Sequence, residues 1–241
     1  MVRIGCAGWT LPSAHAGAFP RDGSHLQRYS AVFAAVEINS SFYKAHRRET
    51  YERWARSTPL TFRFSVKLPK AITHELRLRR SARLLDEFLE QARGLGRRFG
   101  AVLVQLPPSL AFERAVARRF FAQMRDRFDG RVVIEPRHAS WFDERADKLL
   151  REFSVGRVAA DPALNEAAML PGGDPSLAYF RLHGSPRMYY SSYDDAFLAT
   201  VAQRMRAAAR GAREVWCMFD NTAHSHAVPN ALCLAQMLDL A

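Results

Sequence analysis

Short apolar runs alternate with longer amphipathic segments along the whole chain. Eight of these runs are rich in β-branched or apolar residues and predict strands, at residues 3–7, 36–39, 62–67, 101–106, 132–135, 157–160, 178–183 and 215–219. In the segment 81–97, apolar side chains recur at three- and four-residue steps, which predicts an amphipathic helix. Similar patterns predict helices at residues 115–128, 144–153, 193–210 and 226–240.

This alternation predicts an α/β fold, because parallel strands need long crossover connections that are usually helical. Eight strand–helix units in 241 residues predict one domain, residues 1–241, that forms a single parallel (β/α)8 barrel of the TIM type with irregular loops after the strands. The connection 162–175 is rich in Pro and Gly, and its helix is doubtful. A doubly wound open sheet is the alternative, although no GxGxxG run follows the first predicted strand.

Polar and apolar residues alternate in several predicted strands. Side chains in a strand alternate between its two faces, so the polar ones share a face. If the apolar face contacts the helices, the polar residues near the strand carboxyl ends converge inside the barrel, where barrels place their sites. These residues are Glu37, Lys67, Gln105, Glu135, Arg181 and His183. A purely structural ion-pair network inside the barrel is the alternative interpretation.

The segments around the predicted strand ends resemble those of the YecE-like family, domain of unknown function 72. They are IGCAGW at 4–9, EINSSFY at 37–43, FSVK at 64–67, QLPPS at 105–109, EPRHASW at 135–141, YFRLHG at 179–184 and FDNT at 219–222. The resemblance runs in order from residue 3 to about 238, and departs from the family pattern at Thr10, Pro136 and Ser225. It implies a (β/α)8 barrel with these motifs at its strand ends, and it implies no reaction.

The charge of the chain bears on its partners. Lys and Arg number 35 against 24 Asp and Glu, a formal net charge of +11. The lysines are Lys44, Lys67, Lys70 and Lys148, so most of the positive charge is on arginine, which binds phosphate and carboxylate in bidentate fashion. We therefore expect a small anionic ligand. Nucleic acid is a further candidate partner of the basic surface, although no zinc-finger or RNP-type motif is present.

The sequence contains no pattern typical of a membrane-spanning, secreted or disulfide-rich protein. The apolar runs are far shorter than the roughly 20 residues that span a bilayer, and no signal-like segment precedes the first strand. The cysteines Cys6, Cys217 and Cys233 are too far apart for a disulfide framework or a metal knuckle. We therefore expect a cytoplasmic protein with no membrane partner.

Several chemistries fit the candidate catalytic residues, which are Glu37, Lys67, Glu135, His138 and His183. Two carboxylates near cations suit general acid–base catalysis. Lys67 is a Schiff-base candidate, with an ion pair to Glu37 as the alternative. A divalent metal ion is the candidate cofactor. Carboxylate and imidazole groups that could bind it are those of Glu37, Glu135, His138, Asp161, His183, Asp220, His224 and His226.

Barrels frequently bind phosphate in the loops after strands seven and eight, which here read HGSPR at 183–187 and DNT at 220–222. Candidate substrate- or anion-binding residues are Trp9, Asn39, Tyr43, Gln105, Arg137, Trp141, Arg181, Gly184, Ser185, Arg187, Asn221 and Thr222. The favoured function is an enzyme, a hydrolase or lyase, acting on a phosphorylated or other anionic small substrate. A nucleic-acid-binding protein, with or without phosphodiester cleavage, and a barrel that binds a small molecule without turnover are the alternatives.

Overall fold

The computed structural model describes residues 1–240, in which ten strands and seven α-helices follow one another. The strands are β1 Val2–Cys6, β2 Ala35–Ile38, β3 Arg63–Lys67, β4 Phe99–Gln105, β5 Arg131–Glu135, β6 Val155–Arg157, β7 Ala159–Asp161, β8 Gly172–Gly173, β9 Leu177–Leu182 and β10 Glu214–Phe219. The helices are α1 His25–Ser30, α2 Arg48–Arg56, α3 Ala82–Ala92, α4 Arg114–Arg125, α5 Glu144–Glu152, α6 Asp195–Ala208 and α7 Ala227–Met237.

Hydrogen bonding arranges the strands in two sheets. The first has the order β1-β10-β9-β7 and the second the order β2-β3-β4-β5-β6-β8. All paired strands are parallel except β6 and the two-residue β8, which run antiparallel. The predicted α/β class with parallel strands is therefore confirmed. The predicted single eight-stranded barrel is not, because this pairing gives two sheets rather than one closed ring.

The two sheets approach each other at two places. Val158 divides the predicted strand 157–160, so that β6 pairs with β5 while β7 pairs with β9. Beyond the end of β1, Ala7 forms an isolated parallel bridge with Glu37, and the Gly8 N–H donates to the Glu37 carbonyl at 2.9 Å. Gly5 permits this approach, since a Cβ there would lie 2.1 Å from the Ala35 carbonyl oxygen.

The helices cover the outer faces of the strands. The five predicted helices are present with shorter ends, and α1 and α2 were not predicted. A capping box between Ser24 and Gln27 begins α1. The doubtful connection 162–175 contains only the 3-10 turn Glu166–Met169 and β8. None of the helices within residues 1–240 has the length and apolar character required to cross a membrane.

Apolar side chains form two buried clusters. The larger one joins the strands to the helices. The smaller one contains strand residues and the linking Val158, without any helix residue, and its members are Ala35, Ala101, Leu103, Val133, Val158, Leu177, Tyr179, Trp216 and Met218. Most of these lie two or four residues before a polar residue at the carboxyl end of the same strand. The inner strand face is therefore apolar in its middle and polar at its carboxyl end.

Candidate functional site

The guanidinium of Arg181 lies at the centre of the polar cluster. It is fully buried and donates to Glu37 Oε1 at 2.6 Å, to Glu135 Oε2 at 3.0 Å and to Asp220 Oδ2 at 2.9 Å. Burial alone would lower the pKa of Arg181, but the charges of Asp220, Glu37 and Glu135 raise it well above its usual value. Arg181 lies in β9 of the first sheet, whereas Glu37 and Glu135 lie in β2 and β5 of the second, so this side chain joins the two sheets.

His183 extends the cluster toward the rim. Its Nε2 lies 2.8 Å from Glu135 Oε1 and its Nδ1 lies 3.0 Å from Asp220 Oδ2. Arg137 pairs with Glu135, and its Nη2 lies 2.6 Å from His183 Nε2. Burial alone would raise the pKa of both carboxyls. Arg137, His183 and Arg181 instead hold the pKa of Glu135 well below its usual value, and Arg181 and His183 lower that of Asp220.

Lys67 lies beside this cluster without joining its ion pairs. Its Nζ is 4.1 Å from the centroid of the Phe42 ring, and only 5% of the residue is exposed. Burial, followed by the positive charge of Arg181, lowers the pKa of Lys67 to about 8, against the weaker opposing effect of Glu37. Within residues 1–240, no carboxylate oxygen lies within 4.0 Å of Nζ. The ion pair with Glu37, the alternative to a Schiff-base role for Lys67, is therefore not formed.

Several polar atoms at this end of the strands are buried without a hydrogen-bond partner. Residues 1–240 contain seven such side-chain atoms, and four of them belong to Asn39, Gln105, Arg137 and Asn221. All four residues stand at or just beyond the carboxyl end of a strand. Buried polar atoms are normally paired, and leaving one unpaired costs about 1–3 kcal/mol. These atoms therefore mark a place where water or a polar ligand is needed.

The cluster does not form a metal site. No group of three or more His, Cys, Asp and Glu side chains in residues 1–240 is arranged to hold a metal ion. The reason is visible in the contacts, since Arg181 engages all three carboxylates at the position a cation would take. The other proposed donors lie apart from it. Asp161 accepts from the Tyr193 hydroxyl at 2.8 Å, and the His224 ring packs edge-on against Tyr190.

The aromatic residues among the candidate binding residues differ in exposure. Trp141 is 1% exposed and its Nε1 donates to the Leu110 carbonyl at 2.9 Å, so its side chain is packed in the core and does not face a binding site. Trp9 packs edge-on against Trp54 at 5.1 Å between centroids, and lines a cavity of about 340 Å³ that also reaches Glu37 and Asn39. Tyr43 is 79% exposed.

The loops after β9 and β10 use most of their expected anion-binding donors internally. The Gly184 N–H donates to the Tyr193 hydroxyl at 2.7 Å, and the Arg187 N–H donates to Ser191 Oγ at 3.0 Å. The Arg187 guanidinium stacks on the Tyr190 ring at 4.1 Å from its centroid. Asn221 Nδ2 donates to the Ser191 carbonyl, whereas Ser185 and Thr222 lie at or near the surface. These contacts favour a structural role for both loops.

His138 also lies outside the cluster, because its Nδ1 accepts from the Ser140 N–H and caps the turn Ala139–Phe142. Conversely, three contributors were missing from the predicted catalytic and anion-binding residues. The Tyr179 hydroxyl donates to Glu37 Oε2 at 3.1 Å, Asp220 binds Arg181, and Phe42 covers Lys67. Strand alternation could have identified two of them, because residues two apart in a strand share a face. Tyr179 precedes Arg181 by two residues, and Asp220 follows the inward-facing Met218 by two.

Comparison with known proteins identifies relatives of the chain. It is 30% identical over 168 residues to the UPF0759 protein YecE of Escherichia coli (strain K12), a match that covers 67% of this chain and 59% of that protein, less than two thirds of its length. It is 22% identical over 272 residues to the UPF0759 protein YunF of Bacillus subtilis (strain 168), covering 100% of this chain and 95% of that protein.

Solved structures show the same fold. A DUF72 family protein of Thermotoga maritima MSB8 superposes with a TM-score of 0.82 at 26% identity, covering 99% of each chain. A DUF72 family protein of Enterococcus faecalis V583 superposes with a TM-score of 0.83 at 22% identity, covering 100% of this chain and 96% of that one. Residues 3–241 match the family described as "Protein of unknown function DUF72". The chain therefore belongs to the DUF72 family, as the motifs at its strand ends predicted.

Proposed function

We propose that the protein is an enzyme acting on a small phosphorylated or otherwise anionic substrate at the carboxyl ends of the strands. The observation that carries this proposal is the group of buried, unpartnered polar atoms on Asn39, Gln105 and Arg137 beside the unpaired ammonium of Lys67. Gln105 ends β4, which pairs with β3 on one side and with β5 on the other. It therefore lies between Lys67 at the end of β3 and Arg137 just beyond β5. The anionic group would accept from the Arg137 Nε–H and offset the two positive charges, and hydroxyl groups of the same substrate would donate to Asn39 Oδ1 and Gln105 Oε1.

Exposure divides the residues of this site into two groups. Lys67, Asn39, Gln105 and Arg137 retain some exposure and would contact the substrate. The predicted catalytic residues Glu37, Glu135 and His183, with Arg181, are 0% exposed. We therefore assign these four residues a positioning role. Tyr189 lies over them, with its ring 5.8 Å from the His183 ring and 39% of the residue exposed.

Proton transfer is the chemistry that this division supports best. Glu135 is held ionised by the cations around it, and it fixes the Arg137 guanidinium through a direct ion pair. A guanidinium fixed in this way binds a planar anion with little loss of entropy. Lys67, whose pKa is lowered to about 8, would accept or donate a proton near neutral pH. A lyase or hydrolase reaction fits these groups.

We also propose that the two sheets together form the (β/α)8 barrel predicted for the sequence. Four features support this: the Ala7–Glu37 bridge, the single residue Val158 between β6 and β7, the inner apolar cluster drawn from both sheets, and the cross-sheet contacts of Arg181. In a barrel, the carboxyl ends of all strands open toward one face, which is the usual place of the active site.

Calorimetric titration with inorganic phosphate and with a panel of phosphorylated small molecules tests the location of the site. We expect Arg137→Gln to weaken binding at least about tenfold, since a charge-assisted hydrogen bond to an anion contributes about 1.5–3 kcal/mol. Arg187→Gln is the matched control, because that guanidinium is exposed and stacks on Tyr190, and it should bind like the parent. Weakening by Arg187→Gln alone would place the anion in the β9 loop and contradict the proposal.

Turnover is tested separately by 31P NMR. Incubation of the protein with each phosphorylated compound that binds should produce new resonances, and Lys67→Met should abolish them. Binding without any spectral change across the panel would favour the alternative of a protein that binds a small molecule without turnover. If no anion binds, both the proposed enzyme and the alternative of a non-catalytic binding protein are contradicted.

The nucleic-acid alternative is less well supported. Several arginines pair with carboxylates, as in Arg79–Glu113, Arg118–Glu152 and Arg127–Asp86. Arg125 donates to backbone carbonyls of Phe128, Gly130, Phe153 and Ser154. Arginines engaged in this way contribute less to a free basic surface than the net charge suggests.

A further inference from the structure

We propose that Lys67 captures a carbonyl compound as an imine, so that the substrate is an anionic aldehyde or ketone. This inference rests on the anionic substrate of the proposed function and names its reactive group. The step requires a neutral primary amine that can reach the carbonyl carbon and is not held by a carboxylate. Lys67 meets these conditions better than the other three lysines of the chain.

Position separates Lys67 from the other lysines. Lys44, Lys70 and Lys148 are exposed, and Lys70 also lies 3.6 Å from Glu75. Lys67 is 95% buried at the end of β3, with its Nζ against the face of the Phe42 ring. The Nζ atom is not one of the seven buried, unpartnered side-chain atoms of residues 1–240, so it keeps contact with solvent at the rim. An apolar wall on one side and a small solvent-accessible area on the other suit an attacking amine.

Charged and titratable groups from several strands face Lys67. The charge of Arg181 disfavours the ammonium form of Lys67, and the charges of Glu37, Asp220 and Glu135 favour it. Lys67 in turn helps to lower the pKa of His74. With its pKa lowered to about 8, the Lys67 amine is about one-tenth neutral at pH 7, whereas an exposed lysine is neutral to less than about one part in a thousand. This difference gives Lys67 a large kinetic advantage over exposed lysines.

The proposed step balances without an oxidant or reductant. The Nζ lone pair attacks the carbonyl carbon, a C–N bond forms, and the carbonyl π electrons move to oxygen, which takes a proton. That proton comes from the attacking nitrogen. The carbinolamine hydroxyl then takes up the proton that the ammonium had released and leaves as water, while the nitrogen lone pair forms the C=N bond. Overall, an ammonium and a carbonyl give a protonated imine and water. Arg137 would hold the anionic group of the same substrate through its free Nε–H while the carbonyl reaches Lys67.

Reductive trapping of the parent protein tests the imine. The full chain is incubated at pH 7.5 with glycolaldehyde phosphate and cyanoborohydride, and the labelled lysines are identified by peptide mass spectrometry. We expect label at Lys67 to exceed that at each of Lys44, Lys70 and Lys148 at least tenfold. These exposed lysines serve as internal controls, so the result does not depend on any variant folding. Labelling that follows exposure, with Lys67 the least modified, would overturn the proposal.

Two lysine variants, an uncharged aldehyde and inorganic phosphate as a competitor separate this inference from the proposed function. Lys67→Arg should remove the dominant label and Lys148→Arg should leave it unchanged. If phosphate binds and Arg137→Gln weakens it while Lys67 takes no label, the imine is wrong and the anion site stands. If uncharged glycolaldehyde labels Lys67 equally well and inorganic phosphate does not compete, the amine is reactive and the anionic substrate is wrong.

Discussion

A single buried arginine determines the geometry of the candidate site. The Arg181 guanidinium donates hydrogen bonds to three carboxylates. Among these carboxylates, Glu135 also holds His183 and Arg137 in place. Buried ion pairs are often no more stable than apolar residues of the same volume, because desolvation offsets the attraction. What the pairs provide here is a fixed direction for the side chains at the rim, on which recognition of an anion depends.

Breaking this cluster should be costly. Glu135→Gln removes one charge but retains the shape of the side chain. It leaves Arg137 without an ionic partner, while Arg181 keeps Glu37 and Asp220. We expect the free energy of unfolding to fall by about 3–5 kcal/mol, the range for breaking a buried pair. The control is Glu152→Gln, which removes the half-exposed partner of Arg118 and should cost about 1 kcal/mol or less. Equal, small losses in urea denaturation would show that the cluster is not an obligatory ionic unit.

At the scale of strands and helices, period-two alternation was the most informative pattern in the sequence. It brought Glu37, Glu135, Arg181 and His183 to one cluster, as the structure shows. It did not predict the apolar layer beneath them, because residues such as Leu103 and Val133 lie in strands that are apolar on both faces. Such strands carry no alternation from which an inner face can be identified.

Loops and short helices were predicted less well, for physical reasons. The direction of an aromatic side chain after a strand depends on the loop backbone, and Trp141 turns inward to donate to Leu110. Helix α1 has only six residues, too few for a clear 3.6-residue period. Backbone donors such as the Gly184 N–H were expected to bind an anion, but a distant hydroxyl on Tyr193 satisfies this donor in a way that no local pattern shows.

The junction between β1 and β2 should depend on a single glycine. In Gly5→Ala, the new Cβ would lie 2.1 Å from the Ala35 carbonyl oxygen, so the strands must separate. We expect a loss of about 1–3 kcal/mol, or a melting temperature lower by several degrees, as for other overpacked sites. Gly17→Ala is the control, since its Cβ would meet no atom within 4 Å. Equal melting temperatures for the two variants would contradict the close approach of the strands.

Over the whole molecule, charged groups occupy both ends of the inner strand face. At the amino ends, Glu214 pairs with Arg3 at 3.4 Å and with Arg131 at 2.9 Å. At the carboxyl ends, Arg181 binds its three carboxylates, and the apolar cluster fills the space between. Burial alone would raise the pKa of Glu214, but Trp216, Arg131 and Arg3 lower it, as Arg137, His183 and Arg181 lower that of Glu135. Both ends thus depend on ionised carboxylates.

This arrangement predicts a specific form of acid unfolding. A carboxyl whose pKa is lower in the folded protein binds fewer protons there than in the unfolded chain, so stability rises with pH between the two pKa values. The contributions of Glu135, Asp220 and Glu214 should therefore be complete above about pH 5, where unfolded carboxyls have ionised, and be lost as the pH falls below about 4.

Urea denaturation of the parent and of Glu135→Gln, measured from pH 7 to pH 3, checks this prediction. The free energy of unfolding of the parent should fall slightly from pH 7 to about pH 5, because His46 and His74 have lowered pKa values in the folded protein, and should then fall steeply. The variant should start lower and fall less, because it has lost one carboxyl with a lowered pKa. Added salt should change the difference little, since Glu135 and Arg181 are 0% exposed and are poorly screened. Parallel pH profiles for the two proteins would mean that Glu135 is not preferentially ionised in the folded state.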